Sequence, residues 1–499
     1  MTGNEFHTPR ERPATLVVAG VVALAVFLFF GMTSSEKIFL HATVIMMFVA
    51  CFGPAWFQWY RGKVDFFEPV HVIGLIYFAF FGLGALLVVD DPRIAYDKHL
   101  VDYIPRAASY CLIGYVFFLI GYYAFWRSNS GARKWEEVPV GGLGFLGVPA
   151  LIGAAGALGA AEKYRSHFHG LALSAPMNVL AQLVPLFMFA WGVGWVLVLS
   201  KTANRKQRIA FFGMLLPVAA MISLARLNDK SLAVTLVGVP LIAYWYTRRK
   251  LPWKTLTALL LVVILVVFPL ANTFRNFDPR LPFETRVSLT ADTVTNWDAE
   301  DYQRQSIVTV KKRFSMINSV AVVVRDVPRW VPYEKGKQLL MAPLIILVPR
   351  VLWPGKPTVT LGREFGETFR VVSVLDERTN IGATVPGELY WNFDLPGIVF
   401  GMLLWGLFAR WVYRRWGASA TPDPVGKAIH IVLLIQFAHL GGGLVAGVGG
   451  IAKTLAILTV YRWFARRWGL LELRPVAPPE VAAARKPRAS GVRVAAAKL

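Results

Sequence analysis

One long polar stretch, residues 273–392, interrupts an otherwise apolar chain, and it holds the side chains best suited to chemistry. Arg275, Arg280, Arg286, Arg304, Arg313, Arg325, Arg329, Arg350, Arg363, Arg370 and Arg378 all fall inside it. Nearly as many Asp and Glu are interleaved, which marks a folded polar cap and not a basic tail. Near its middle stands Val348-Pro-Arg-Val-Leu-Trp-Pro-Gly-Lys-Pro357. Three prolines fix φ there and bias each preceding residue to extended geometry. Arg350 and Lys356 are thereby held at a set separation, with Trp353 between them. A guanidinium binds phosphate through two parallel hydrogen bonds, and an ammonium acts as a point charge. Trp353 offers a flat face to a sugar ring or to the membrane interface. This set suits a lipid-linked sugar pyrophosphate. The alternative is a proline-stiffened loop whose cations pair with nearby acids.

Other candidates surround this element. Arg275 and Arg280 directly follow an apolar run, at the level of a lipid pyrophosphate, or are ordinary boundary arginines. Arg363 and Glu367 are four apart in a short helical piece, so mutual pairing competes with a role in binding. Glu388 lies in Pro386-Gly-Glu-Leu-Tyr-Trp-Asn-Phe393, beside aromatic residues. A carboxylate in that setting can serve as a base, or it can pair with an arginine of the cap. Arg226 sits in a very short loop expected on the same side as the cap, a second phosphate contact. Arg165, His167 and His169 lie in another such loop, where Arg165 is a substrate-contact candidate. His-x-His without a third ligand is a weak metal site. Asp65, Glu68 and His71 read as helix-end residues on the opposite side. Walker A, dinucleotide-binding and nucleophile-elbow motifs are absent, so an enzyme of this kind takes an activated substrate from the lipid.

The elements that carry these residues are membrane helices. The 499 residues are 56% hydrophobic, with mean hydropathy +0.50. Apolar runs of about 18 residues or more recur, the length that crosses a bilayer core. We read about twelve spans: 14–32, 38–57, 67–89, 105–126, 142–160, 176–199, 209–226, 231–247, 255–272, 394–413, 428–447 and 450–465. The fold expected is an all-α polytopic membrane protein with a large extracytoplasmic loop domain before the tenth span. Its parts are a cytoplasmic N-terminus (1–13), nine spans (14–272), the cap (273–393), three spans (394–465) and a basic, disordered cytoplasmic tail (466–499).

A net charge of +23 in a soluble protein would suggest nucleic acid. Here the loops account for it without nucleic acid. Basic clusters at Arg61/Lys63, Arg205/Lys206/Arg208, Arg248/Arg249/Lys250 and Arg414/Arg415/Lys427 fall on one side. The positive-inside rule then puts both termini in the cytoplasm and the cap outside it. The polar segment 1–13 carries no cleavable signal, so the first apolar run is expected to stay as a helix. Cys51 and Cys111 lie within spans and exclude a disulfide framework. Within the cap, Asp301 to Asp326 reads as one helix, with Ile307, Val310, Phe314, Ile317, Ala321 and Val324 on one stripe. That stripe packs on the cap core or lies in the headgroup layer.

The Pro-Arg-x-x-Trp-Pro-x-Lys-Pro element and the entry Gly387-Glu-Leu-Tyr-Trp-Asn-Phe-Asp-Leu-Pro-Gly397 resemble the bacterial oligosaccharide repeat-unit polymerases, the O-antigen polymerase (Wzy-like) proteins. The motifs cover about 50 residues; topology carries the rest. The resemblance implies a GT-C-like, metal-independent glycosyltransferase of the bacterial inner membrane, without a cofactor. Its substrate would be an undecaprenyl-pyrophosphate-linked glycan, within membrane lipid and beside flippase and chain-length regulator proteins. It would move a growing glycan from one lipid onto the sugar of a second. By motif match the catalytic arginine is Arg350, more loosely Arg275 and Arg363. Relatives carry a Gly-x-Arg-Gly-type turn where this chain has Ala225-Arg-Leu-Asn-Asp-Lys230, a departure at Arg226. Rival readings are a glycan ligase, a transporter or flippase of lipid-linked sugars, and a structural partner in an envelope assembly.

Overall fold

A computed structural model describes residues 36–62, 64–124, 135–141, 143–168, 182–225, 230–262, 281–337, 361–373, 380–417 and 423–475, with positions 179, 266, 270, 273–274, 277–278, 339, 341 and 353 described singly. The described chain is mostly helical. In order it forms α1 (Glu36–Tyr60), α2 (Pro69–Asp90), α3 (Ile104–Ala124), β1 (Trp135–Pro139), α4 (Leu143–Phe168), α5 (Val184–Leu199), α6 (205–225), α7 (Lys230–Arg248) and α8 (Trp253–Val262). The polar stretch adds α9 (Phe283–Thr295), α10 (Ala299–Phe314), α11 (Ile317–Asp326) and α12 (Leu361–Thr368). The chain then closes with α13 (Val385–Val412), α14 (Pro424–Phe437), α15 (Leu444–Arg467) and β2 (Leu471–Pro475).

Among the described residues, five helices are long and apolar enough to cross a bilayer: Lys37–Tyr60, Pro69–Asp90, Lys98–Ala124, Val385–Gly417 and Leu444–Arg467. Leu143–Gly159, Val184–Leu199 and Pro424–Phe437 are apolar but shorter. Such a set fits a helical membrane protein. The expected first span, 14–32, and the tail 476–499 lie outside the described residues, as does most of 255–272 beyond Val262.

The centre of the bundle is the packing of α3 on α13. Two glycines permit it. A Cβ on Gly121 would stand 2.0 Å from the Leu403 carbonyl, and one on Gly406 would stand 2.1 Å from that of Phe118. Each helix thus presents its glycine to the other's backbone. Small residues are what membrane helices use to approach closely, because burial against lipid supplies no hydrophobic drive between them. A second group, α4 to α7, joins through α5, and α14 packs on α5 and α7.

The end of the bundle with the basic loops is knotted by a buried polar network. Glu68 Oε1 accepts from Tyr122 Oη at 2.8 Å and Arg410 Nη1 at 3.0 Å, while Oε2 accepts from Gln58 at 2.8 Å. Asp65 accepts from Trp245 Nε1 at 2.9 Å and Tyr413 Oη at 3.0 Å. The His71 and His430 rings bond the carbonyls of Asp65 and Phe67 at 2.7 and 3.2 Å. Asp65, Glu68 and His71 are therefore more than helix-end residues. They are buried and tie the α1–α2 loop to α1, α3, α7 and α13, with His430 of α14 joined through the Phe67 carbonyl, since a buried carboxylate must be hydrogen-bonded to be tolerated.

Three further expectations are corrected. The helix expected over 301–326 breaks at Ser315–Met316 into α10 and α11. Ile307 on α10 is 46% exposed, whereas Ile317, Val320 and Ala321 on α11 are fully buried. Asn318 Nδ2 donates to the Ile94 carbonyl at 2.9 Å, and Ser319 Oγ meets Tyr96 Oη at 3.0 Å. So α11 is a wedge seated among α3, α13 and the α2–α3 loop, buried against the helix bundle and not on a separate core of the cap. The last two spans also shift: the turn falls at Gly441–Gly443, and Gly449 and Gly450 lie inside a continuous α15. Finally, residues 471–475 are not tail but a strand, antiparallel to β1 with Glu137 opposite Leu473.

Candidate functional site

The polar stretch re-enters the bundle at α13, and there the helix is broken. Thr384, buried and at φ 64°, caps it, its Oγ1 accepting from Gly387 N at 3.4 Å. The first two turns run to Asn392. Phe393 (φ −144°, ψ 23°) and Asp394 (φ 58°, ψ −154°) then leave helical geometry. A non-glycine residue in that region of positive φ is strained by ~1–3 kcal/mol, and such strain gathers at functional sites. Asp394 Oδ1 accepts from Leu395 N at 2.7 Å, and Pro396 sits in the restarting turn. Asp followed by Pro in the first turn is a helix-start signal.

Glu388 lies on the short piece ahead of the break and is 4% exposed. Its Oε2 accepts the N–H of Leu444 at 2.5 Å and of Val445 at 3.3 Å, at the start of α15. A helix N-terminus is the natural partner of a carboxylate. The other oxygen, Oε1, is buried without a hydrogen-bond partner among the described residues. Among the described residues Glu388 therefore bonds backbone N–H groups and not an arginine.

A loop of the polar stretch is laced over the break. Trp391 Nε1 donates to the Pro332 carbonyl at 3.2 Å, and Glu334 N donates to the Trp391 carbonyl at 3.1 Å. Gly336 N donates to Asn392 Oδ1 at 2.9 Å, and Asn392 Nδ2 donates to the Glu388 carbonyl at 2.8 Å. Tyr333 Oη donates to Asp394 Oδ2 at 2.9 Å. Burial and that bond push the Tyr333 phenol up to about 12. Lys335 (φ 51°) and Gly336 (φ 82°) turn the loop, leaving Lys335 and Lys337 exposed beside the break. From α3, exposed Arg106 donates to Tyr110 Oη at 2.9 Å, within electrostatic range of Asp394, and the Tyr110 ring stacks on Tyr390 at 5.5 Å.

Of the residues singled out from sequence, the structure places Glu388 in this site. Arg363 pairs with Glu367 at 2.5 Å on α12, the local pairing weighed above. Trp353 is 36% exposed. Arg350, Lys356, Arg275, Arg280 and Arg226 lie outside the described residues. Arg165 belongs to α4, and its side chain lies outside the described set. Sequence reading missed Asp394, Tyr333, Tyr390, Tyr110 and Arg106. The signal for Asp394 was present as Asp-x-Pro at the start of the expected tenth span, and Tyr390 stood two residues from Glu388 within the 386–393 motif; Tyr333 comes from a loop and Tyr110 and Arg106 from α3, all distant in sequence and without a local mark.

Taken together, the arrangement offers one carboxylate ahead of a helix break and one within it, three tyrosines and three exposed cations. Among the described residues no group of three or more His, Cys, Asp or Glu has metal-binding geometry. Residues 171–417 match a family model described as a domain of unknown function (DUF8712), a segment that includes the polar stretch and α13. No curated protein and no solved structure matches the chain.

Proposed function

We propose that the protein polymerises undecaprenyl-pyrophosphate-linked oligosaccharide repeat units into a cell-surface polysaccharide, at the outer face of the bacterial cytoplasmic membrane. The observation that supports this reading best is the broken start of α13, where carboxylates and cations meet under the polar stretch at one end of apolar helices. In the reaction, a hydroxyl on the acceptor sugar attacks the first sugar of the growing glycan. The bond from that sugar to pyrophosphate breaks, and the pyrophosphate leaves with the electron pair on its lipid. The acceptor's proton passes to a carboxylate. Asp394 is half-exposed and the more accessible of the two; Glu388 has one uncommitted oxygen but is buried.

Charge grows on the pyrophosphate as the bond breaks. Arg350, by its motif, with Lys356, Arg275 and Arg280 close in sequence to the membrane boundaries, would stabilise that charge. Loss of one such contact costs a factor of about 10²–10³ in rate. Purified protein supplied with lipid-linked repeat units, without added nucleotide, tests the reading. A ladder of products supports polymerisation. A single transfer to a foreign acceptor means a ligase, and lipid movement without bond formation means a transporter; either result overturns it. Arg350→Ala is expected to abolish long chains while single repeat units still reach the outer leaflet.

A further inference from the structure

We propose that a cavity at the basic end of the bundle, walled by Arg415, Arg462 and Arg466, binds a phosphate group, carried either by an anionic phospholipid or by a small soluble molecule. The cavity holds about 220 Å³ and is bordered by the β1–β2 sheet, with Trp135, Glu137, Asp423 and Leu473 completing its wall. It lies at the opposite end of the bundle from α11 and the break in α13, and it does not depend on the function proposed above.

The charge balance favours an anion. Three guanidinium groups face two carboxylates, so the wall carries a net positive charge. Asp423 Oδ1 caps α14, accepting from Val425 N at 3.1 Å and Gly426 N at 3.2 Å. Its charge is thus offset by that helix N-terminus. Glu137 is 6% exposed and is held between Arg462 and Arg466, accepting from Arg462 Nε at 2.8 Å, from Arg462 Nη2 and from Arg466 Nη2. A guanidinium carries about five N–H donors in a rigid fork. Glu137 therefore consumes only part of what the pair offers, and it fixes both forks in place. Arg466 remains 42% exposed in its side chain. Pre-positioned guanidinium pairs suit the tetrahedral oxygens of phosphate.

The level in the bundle agrees with a headgroup. Trp411, Trp463 and Trp468 are 52–63% exposed around the same end, as are Trp59 and Trp253 at 64% and 60%. Exposed tryptophans gather where a bilayer meets water. The two-stranded sheet is also anchored on the bundle, with Gln207 Nε2 donating to the Pro139 carbonyl at 3.2 Å and Arg462 and Arg466 rising from the last turns of α15. The cavity wall is therefore built from fixed elements.

The test uses full-length protein in two kinds of nanodisc, phosphatidylcholine alone and phosphatidylcholine with phosphatidylglycerol. Native mass spectrometry counts retained phosphatidylglycerol, and thermal unfolding with inorganic phosphate against chloride at equal ionic strength reports the soluble ligand. Arg415→Gln and Arg466→Gln are compared with Arg467→Gln, an exposed neighbour outside the cavity. Retained phosphatidylglycerol that falls on the order of tenfold in the first two variants and persists in the third identifies a headgroup. Stabilisation by phosphate with the same variant pattern identifies a soluble ligand. Neither effect in the wild-type protein, or an equal loss in all three variants, overturns the proposal.

Discussion

Arg410 Nη1 stands 3.0 Å from Glu68 Oε1, joining residues 342 positions apart inside the bundle. The side chains are 17% and 5% exposed. Removing one member of a buried pair leaves the other's charge without compensation, which costs about 3–5 kcal/mol. Arg410→Ala is therefore expected to lower thermal stability sharply, and Arg410→Ala with Glu68→Gln to recover much of the loss. A double variant no more stable than the single one would show that the pair is not the source.

Glu388 and Gly443 make a second coupled pair. A Cβ on Gly443 would stand 2.3 Å from Glu388 Oε2, and its φ of 88° already favours glycine. Gly443→Ala is expected to cost about 1–3 kcal/mol in unfolding free energy. Glu388→Gln keeps an acceptor for Leu444 N and should cost less than Glu388→Ala, which strands two backbone donors. Denaturant or thermal unfolding of the three variants checks the order. If Glu388 takes the acceptor's proton, Glu388→Gln also abolishes long chains in the transfer assay despite a sound fold.

Asp394 makes a backbone prediction that is independent of function. At φ 58° and ψ −154° it occupies space that glycine enters freely. Asp394→Gly relieves strain while losing the cap on Leu395 N, so it is expected to be near neutral. Asp394→Ala keeps the strain and loses the cap, at a cost of about 1–2 kcal/mol. Equal melting temperatures for the two would refute the strain. Both variants, and Asp394→Asn, are expected to lose transfer activity if Asp394 is the base.

The β1–β2 sheet should depend on pH through Glu137. Burial opposes its charge, yet Arg462 and Arg466 overcome that and hold the carboxyl below its ordinary value of 4.5. A folded value lower than the unfolded one contributes stability above pH 4.5 and loses it as pH falls through the folded value. Protection of residues 135–139 and 471–475 against hydrogen exchange, taken relative to the intrinsic rate at each pH, is therefore expected to fall on acidification below pH 4.5, and in Glu137→Gln to be low already at neutral pH. Protection in that variant equal to the wild type would remove Glu137 as the clasp.

Much of the helical architecture was legible because apolar length is a local property. Spans 38–57, 67–89, 105–126 and 231–247 coincide closely with helices. The division of 301–326 was not legible, because the same stripe fits one helix or two until a neighbour claims α11. Nor was the end of the chain: Leu471–Pro475 is a strand only because Trp135–Pro139, more than 300 residues earlier, pairs with it.

By itself, the sequence determined that the chain is built of apolar helices, that a polar stretch over residues 273–392 interrupts them, and that the basic loops share one end. Hydrophobic length and charge distribution are additive along a chain, so no partner is needed to read them. Only the tertiary structure decided that Glu388 bonds to Leu444, that Tyr333 reaches Asp394, and that Asp65 and Glu68 lie buried against Tyr413 and Arg410. Whether a charged group is buried, paired or strained depends on what other segments bring to it, and that is set by packing.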